Sequence, residues 1–173
     1  GGTGEGAADQ TAAGQTAAGQ TAAGETAAGE APTEEAAFGD FAYGPDGKSS
    51  YYVSDEPVDG KPQEFQTLRH HDPATGKVTV LSGAIPWDVS GFSLSEDRRH
   101  LAYATNEDGI SRLRVLALPS HREIALPALP VGVFGSGVFS PDGHRLALSI
   151  NSATSPSDVY VIDLRDARLA RWT

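Results

Sequence analysis

From residue 38 onward, short apolar runs alternate with polar turns, and the alternation itself recurs. Tyr51-Tyr52-Val53, Leu101-Ala102-Tyr103-Ala104 and Leu146-Ala147-Leu148 each follow a polar turn, and each run gives way to a polar residue, Asp55, Asn106 or Asn151. After a variable loop comes a second apolar segment, at Phe65 to Leu68, Leu113 to Leu118 and Val159 to Leu164. A short polar turn follows at 74–77, 119–122 and 165–168, and a last strand is expected at Leu81-Ser82, Leu126-Pro127 and Trp172-Thr173. Brief runs of Val, Leu, Tyr and Ala bounded by Gly, Pro, Asp and Asn predict strands, because such side chains suit a pleated, half-buried surface. Segment 159–164 is apolar on both faces, as a strand sandwiched between two layers must be.

The turns set the register. Tyr43-Gly-Pro-Asp46-Gly47-Lys48 aligns with Leu94-Ser-Glu-Asp97-Arg98-Arg99 and Phe139-Ser-Pro-Asp142-Gly143-His144, and the aspartates lie 51 and 45 residues apart. An aspartate bonds the backbone two residues on, and a following glycine accepts positive φ without steric cost. Pro45 and Pro141 suit the first central turn position. Asp97-Arg98 lacks the glycine, so its turn is expected to be strained or of another type. A four-strand unit repeating at 40–50 residues is the signature of a β-propeller blade. The predicted fold is therefore all-β: three four-stranded antiparallel blades, at about 38–84, 85–130 and 131–173, forming a partial propeller. A plain antiparallel sandwich would not require three in-register copies. Propellers close with 4–8 blades, and an open arc leaves strand edges and blade faces uncovered. Together with the absence of methionine, this leads to the expectation that the chain is part of a longer protein.

Residues 1–37 read differently. QTAAG-type pentapeptides fill 10–29, a period that fits neither helix nor strand. Gly14, Gly19, Gly24 and Gly29 would each cost a helix about 1 kcal/mol relative to alanine. With alanine as the main apolar side chain, little surface offsets the entropy of ordering, so 1–37 is expected to be a disordered linker. An alanine-rich helix formed on contact with a partner is the alternative.

Charge narrows the function classes. The net charge is −10, and residues 1–37 contribute six acidic groups and no Lys or Arg. A chain without a basic stripe is a poor nucleic-acid binder. The chain has no cysteine, which removes disulfides, thiolate metal sites and a cysteine nucleophile. No apolar run approaches the ~20 residues of a membrane helix. These properties fit a cytoplasmic, periplasmic or secreted protein equally.

A catalytic, cofactor-binding or metal constellation is not found. Gly135-Ser136-Gly137 lacks the Gly-x-Ser-x-Gly spacing of a nucleophile elbow, so Ser136 is read as part of a flexible strand or loop. His70 and His71 point to opposite faces of a strand and share no second ligand at metal spacing. His100, His121 and His144 are read as solvated turn residues. Glu107-Asp108-Gly109 is read as a polar hairpin turn, and Asp55, Glu56 and Asp59 as members of a long loop. Trp87 and Phe92 are assigned to packing. The glycines of 132–137 open no phosphate-cradling helix.

Residues 40–173 resemble the propeller of the prolyl oligopeptidase family of serine peptidases and, more loosely, the Tol-system propeller. YGPDGKSSYYVSD and FSPDGHRLALSIN carry the general likeness. The stretch Ile85 to Leu116 carries the more specific one, through Pro86-Trp87-Asp88-Val89, Gly91-Phe92 and Asn106-Glu107-Asp108-Gly109. Ala170-Arg-Trp-Thr173 also resembles the last strand before that family's hydrolase domain. The resemblance implies a part that gates and selects peptide substrates for an α/β-hydrolase domain of the same parent protein, which would hold the Ser-Asp-His triad. Glu107 and Asp108 would then belong to loops near the cavity between the two domains. A non-enzymatic propeller that binds protein partners on its faces shares every blade feature.

Overall fold

The computed structural model describes residues 36–173; the pentapeptide repeat, and the linker expected there, lie outside the described residues. Twelve strands form three separate four-stranded sheets, and every pairing is antiparallel. Blade 1 holds β1 (Phe38–Tyr43), β2 (Ser50–Ser54), β3 (Thr67–Asp72) and β4 (Lys77–Val80). Blade 2 holds β5 (Val89–Leu94), β6 (His100–Glu107), β7 (Ile110–Ala117) and β8 (Arg122–Ile124). Blade 3 holds β9 (Val138–Phe139), β10 (Arg145–Ile150), β11 (Asp158–Asp163) and β12 (Arg168–Arg171). Within each sheet the strands lie in chain order, as up-and-down meanders.

The first strands of the blades approach one another, β1 against β5 and β5 against β9. Two polar contacts stitch them. The Phe92 amide donates to Asp40 Oδ2 at 3.0 Å, and Ser93 Oγ donates to the Ser136 carbonyl at 3.4 Å. Among the described residues the three sheets do not close into a ring.

The turn after each first strand is the same device three times. The amides of Gly47, Arg98 and Gly143 bond the carbonyls of Gly44, Ser95 and Ser140, closing four-residue turns. The third residue after each turn start is left-handed, with φ of 67°, 57° and 71°. Arg98 thus occupies a conformation that costs a non-glycine residue about 1 kcal/mol or more, as its missing glycine predicted. The serine of the motif is part of the device. Ser95 Oγ donates to Asp97 Oδ1 at 2.6 Å, and Ser140 Oγ donates to Asp142 Oδ1 at 2.5 Å. Blade 1 has Gly44 at that place, and Ser49 Oγ bonds Asp46 Oδ1 at 2.7 Å instead. A Cβ on Gly44 would lie 2.2 Å from that hydroxyl, so the substitute serine requires the glycine.

The fourth strands correct the sequence-based assignment. They span 77–80, 122–124 and 168–171 rather than beginning at Leu81, Leu126 and Trp172. The polar turns are tight, so the chain reverses sooner, and positive φ at Gly76, His121 and Ala167 accomplishes the reversal. Leu81 and Trp172 follow directly and keep the strand register: the Leu81 amide bonds the Leu68 carbonyl and the Trp172 amide bonds the Val159 carbonyl, each at 2.8 Å; Leu126 lies two residues beyond β8.

Two junctions bury the core. Between blades 1 and 2, Tyr51, Val53 and Leu68 pack against Phe92, Leu101, Tyr103 and Leu116. Between blades 2 and 3, Ala102 and Val115 pack against Leu146, and Phe134, Leu148, Ile150 and Ile162 extend the cluster. Each fully buried large aliphatic side chain contributes about 1.5–3 kcal/mol relative to exposure. Trp87 departs from its expected place in the core and is exposed, whereas Phe92 is buried.

Candidate functional site

A cluster of titratable rings lies in the junction of blades 1 and 2. Strand alternation aims Tyr51 (β2) and its cross-strand partner His70 (β3) at blade 2. The left-handed turn between β7 and β8 returns His121 to meet them, at φ 56°. Tyr51 Oη lies 2.8 Å from His121 Nε2, a hydrogen bond whose direction follows the ring's tautomer. The His70 ring stands 4.8 Å from both the Tyr51 and the His121 rings. His121 is therefore a half-buried junction residue, not the solvated turn residue expected from its neighbours. The cause is a partner on the other blade, 70 positions away.

Burial pushes both histidines below the usual imidazole range. For His70 the nearby Asp72 and Asp46 oppose that shift without cancelling it, and His71 adds to it; for His121 the neighbouring His70 adds to it. Burial also pushes the Tyr51 hydroxyl up to about 12. At neutral pH the cluster is uncharged. Beside it a groove of about 510 Å³ opens, lined by Pro45, Asp46, Ser49, Tyr51, His70, Asp72 and Pro119. Its two carboxylates stay ionised. Hydrogen bonds from Ser49 and the 48 and 49 amides hold Asp46 at about 2, and bonds from Thr75 and the Ala74 amide lower Asp72. The groove is an aromatic wall with two fixed negative charges. It can receive a cationic or polar chain segment; the hydroxyl held against an imidazole there, that of Tyr51, is pushed up to about 12 by burial, the opposite of the activation a nucleophile needs.

A second arrangement appears twice, with the tyrosine and the glutamate at equal offsets from the turn aspartates and the arginine opposite the tyrosine on the paired strand. In blade 1, Tyr52 Oη donates to Glu56 Oε2 at 3.1 Å, Arg69 Nη1 lies 3.6 Å from the same oxygen, and Arg69 Nη2 donates to the Glu56 carbonyl. In blade 2, Arg114 donates to Glu107 Oε1 at 3.0 Å and to Thr105 Oγ1 at 2.9 Å, beside Tyr103. Burial raises Glu107, but the bonds from Arg114 and Thr105 outweigh it and leave the carboxyl below its ordinary range. Glu107 and Glu56 thus act as braces for buried or half-buried arginines. Asp108 and Gly109, both left-handed, form the β6–β7 hairpin turn, and the Gly109 amide bonds Asn106 Oδ1.

The remaining residues singled out in the sequence stay apart. Ser136 is half-buried and offers its carbonyl to Ser93; its hydroxyl has no imidazole beside it. His71 lies on the opposite face of β3 from His70. His100 stacks on Phe139 across the second junction, with centroids 6.2 Å apart, and its buried Nδ1 has no hydrogen-bond partner. His144 stands 6.5 Å from His100. Among the described residues no cluster of three or more His, Asp or Glu has metal-holding geometry, and no helix is long and apolar enough to cross a membrane.

No family model matches the chain, and no curated protein matches it. Solved structures do. Over 72% of its length the chain is similar to a structure from a study of two prolyl endopeptidases and the role of inter-domain dynamics in their catalysis and specificity, with a TM-score of 0.54 and 20% identity, covering 18% of that chain. It is similar to TolB from Acinetobacter baumannii over 79% of its length, with a TM-score of 0.52 and 20% identity, covering 32% of that chain. The tricorn protease matches over 73%, with a TM-score of 0.53 and 17% identity, covering 14% of that chain. The chain therefore spans less than a third of each of these structures. Three in-register four-stranded meanders, together with the likeness in fold to those structures, make the described residues three blades of a β-propeller.

Proposed function

We propose that this chain is the propeller part of a prolyl oligopeptidase-like serine peptidase, and that it selects and admits peptides for a hydrolase domain of the same parent protein. The observation that carries this is the coincidence of two likenesses: the blade fold aligns with a prolyl endopeptidase structure over 72% of the chain, and Ile85 to Leu116 resembles the late blades of that family in sequence. The groove at the first junction supports a selecting role. Its ionised Asp46 and Asp72 favour peptides with basic or polar segments, and its aromatic wall offers stacking surface.

The test is on the parent polypeptide. Labelling by a serine-directed fluorophosphonate, with turnover of an acylated proline-containing peptide, is the expected result, while the 173-residue chain alone gives neither. A parent that continues only as further blades, with no Gly-x-Ser-x-Gly elbow and no labelling, overturns the peptidase assignment. The second reading, a non-enzymatic propeller that binds protein partners, is favoured by the likeness to TolB.

A further inference from the structure

All five histidines of the chain lie at one end of the blades, the end that carries the Asp46, Asp97 and Asp142 turns. Four of them form two pairs, and each pair spans a junction. The ring of His70 in blade 1 stands 4.8 Å from that of His121 in blade 2, and the ring of His100 in blade 2 stands 6.5 Å from that of His144 in blade 3. His100 opens β6, and His144 lies in the turn between β9 and β10.

The second pair holds the more telling feature. The His100 ring stacks on Phe139 of β9, with the ring planes 20° apart, and so joins blade 2 to blade 3. Its Nδ1 is the single buried side-chain nitrogen or oxygen among the described residues without a hydrogen-bond partner in the protein. A neutral imidazole tolerates this, because one ring nitrogen carries no proton and can be the buried one. An imidazolium does not. Both of its nitrogens are N–H donors, and the one at Nδ1 becomes a buried donor on a charged ring with no acceptor.

The surroundings supply no remedy while the ring stays in place. Phe139 and the cross-strand partner Ala117 are apolar. The β9–β10 turn brings His144, a like charge once protonated, beside Asp142 and Arg145, which oppose each other. On its own turn His100 has Arg99, a like charge, and Asp97, which attracts it. Bonds from Ser95 Oγ and the Arg99 amide already occupy Asp97 Oδ1, and neither carboxylate oxygen reaches Nδ1. Turned out of the junction, the charged ring gains water and keeps the attraction of Asp97.

We propose that His100 is a proton-operated catch: neutral, it seals the turn end of the second junction, and protonated, it swings off Phe139 and lets blades 2 and 3 part at that end. With His70 and His121 across the first junction, mild acid then loosens both junctions from the same end of the blades. The opposite end, which holds no histidine, stays closed.

Proton NMR of the 173-residue chain at pH 7.5 and 5.0 tests this. Cross-peaks between the His100 and Phe139 rings are expected at pH 7.5 and lost at pH 5.0, while those among Ala102, Val115 and Leu146 persist. A second measurement uses the His70→Leu/His121→Phe background, in which the first pair no longer titrates. Its folding equilibrium constant, from urea titrations, is expected to drop on the order of tenfold between the two pH values. Adding His100→Phe, which keeps the stack and removes the nitrogen, is expected to abolish most of that drop without lowering stability at pH 7.5. Ring cross-peaks that survive at pH 5.0 overturn the proposal, and on the wild type they do so whether or not the variants fold. Loss of both sets of cross-peaks together, which means that the chain unfolds as a whole, also overturns it. So does a drop that His100→Phe leaves in place.

Discussion

The two junctions of the arc share one register and differ in chemistry. At the position five residues after the turn aspartate, blade 1 places Tyr51 and blade 2 places Ala102, and their cross-strand partners are His70 and Val115. Beside its apolar core the first junction holds a tyrosine and two histidines, with a hydrogen bond between Tyr51 and His121. At the equivalent place the second packs Ala102 and Val115 on Leu146, all fully buried and all apolar. A common backbone plan therefore does not impose a common way of holding blades together. Where the chain offers small residues the blades approach and pack on shape. Where it offers rings, the polar edges must find partners, and the junction gains a dependence on protonation.

The largest expected effect separates the two by packing. Leu146→Ala, in the apolar junction, is expected to cost about 3 kcal/mol by opening a cavity between blades, read as a drop in the urea midpoint at unchanged m-value. A cost under about 1 kcal/mol would mean that the junction collapses freely, which close-packed interiors seldom do. Next comes Tyr51→Phe, which keeps the ring but strands the His121 nitrogen. Its expected cost is about 1 kcal/mol, and His121→Phe in the same background should recover part of it.

Acidification should then weaken the first junction. His70 and His121 have folded-state values below those of the unfolded chain, so the unfolded state binds more protons and stability rises with pH. Their contribution is complete above the ordinary histidine value near 6.5 and is lost as the pH falls through it towards their lowered folded values. The melting temperature of the wild type is expected to fall across that window, and a His70→Leu/His121→Phe variant to fall less. Equal slopes in the two proteins would remove the histidines as the cause. The smallest effect sits at the turn of blade 2. Arg98→Gly relieves a left-handed arginine, but Arg98 Nη1 also bonds the Tyr43 carbonyl. A net gain of at most about 0.5–1 kcal/mol is expected, and a clear loss would show that the cross-blade bond outweighs the strain.

Much of this was legible in the chain because the turn chemistry is local. Asp46, Asp97 and Asp142 announce the register, the absent glycine at 98 announces a strained φ, and Leu81, Leu126 and Trp172 line up before any strand is seen. The serines escaped notice because Ser95 and Ser140 have a different substitute in blade 1, where Ser49 reaches the aspartate from the other side. The histidine cluster was not readable for a different reason. Alternation sets which face His70 takes, but whether a residue of the next blade meets it depends on how tightly the β7–β8 turn reverses, and that is fixed by the fold as a whole. The Trp87 position failed similarly: an aromatic residue in a loop before a strand has no periodicity to locate it.

The length and placement of blade 2 have a consequence for how the molecule opens. β6 and β7 pair over eight residues each, longer than any other hairpin of the arc, and both faces of their sheet are covered. In a structure where each sheet touches only its neighbours, disorder entering from either end must dissolve a whole junction before reaching the middle. The amides of Ala102 to Thr105 should therefore exchange with solvent deuterium only through complete unfolding, and their protection measures the stability of the entire arc. The amides of β12, on a sheet with one bare face, should exchange through a local opening long before that limit.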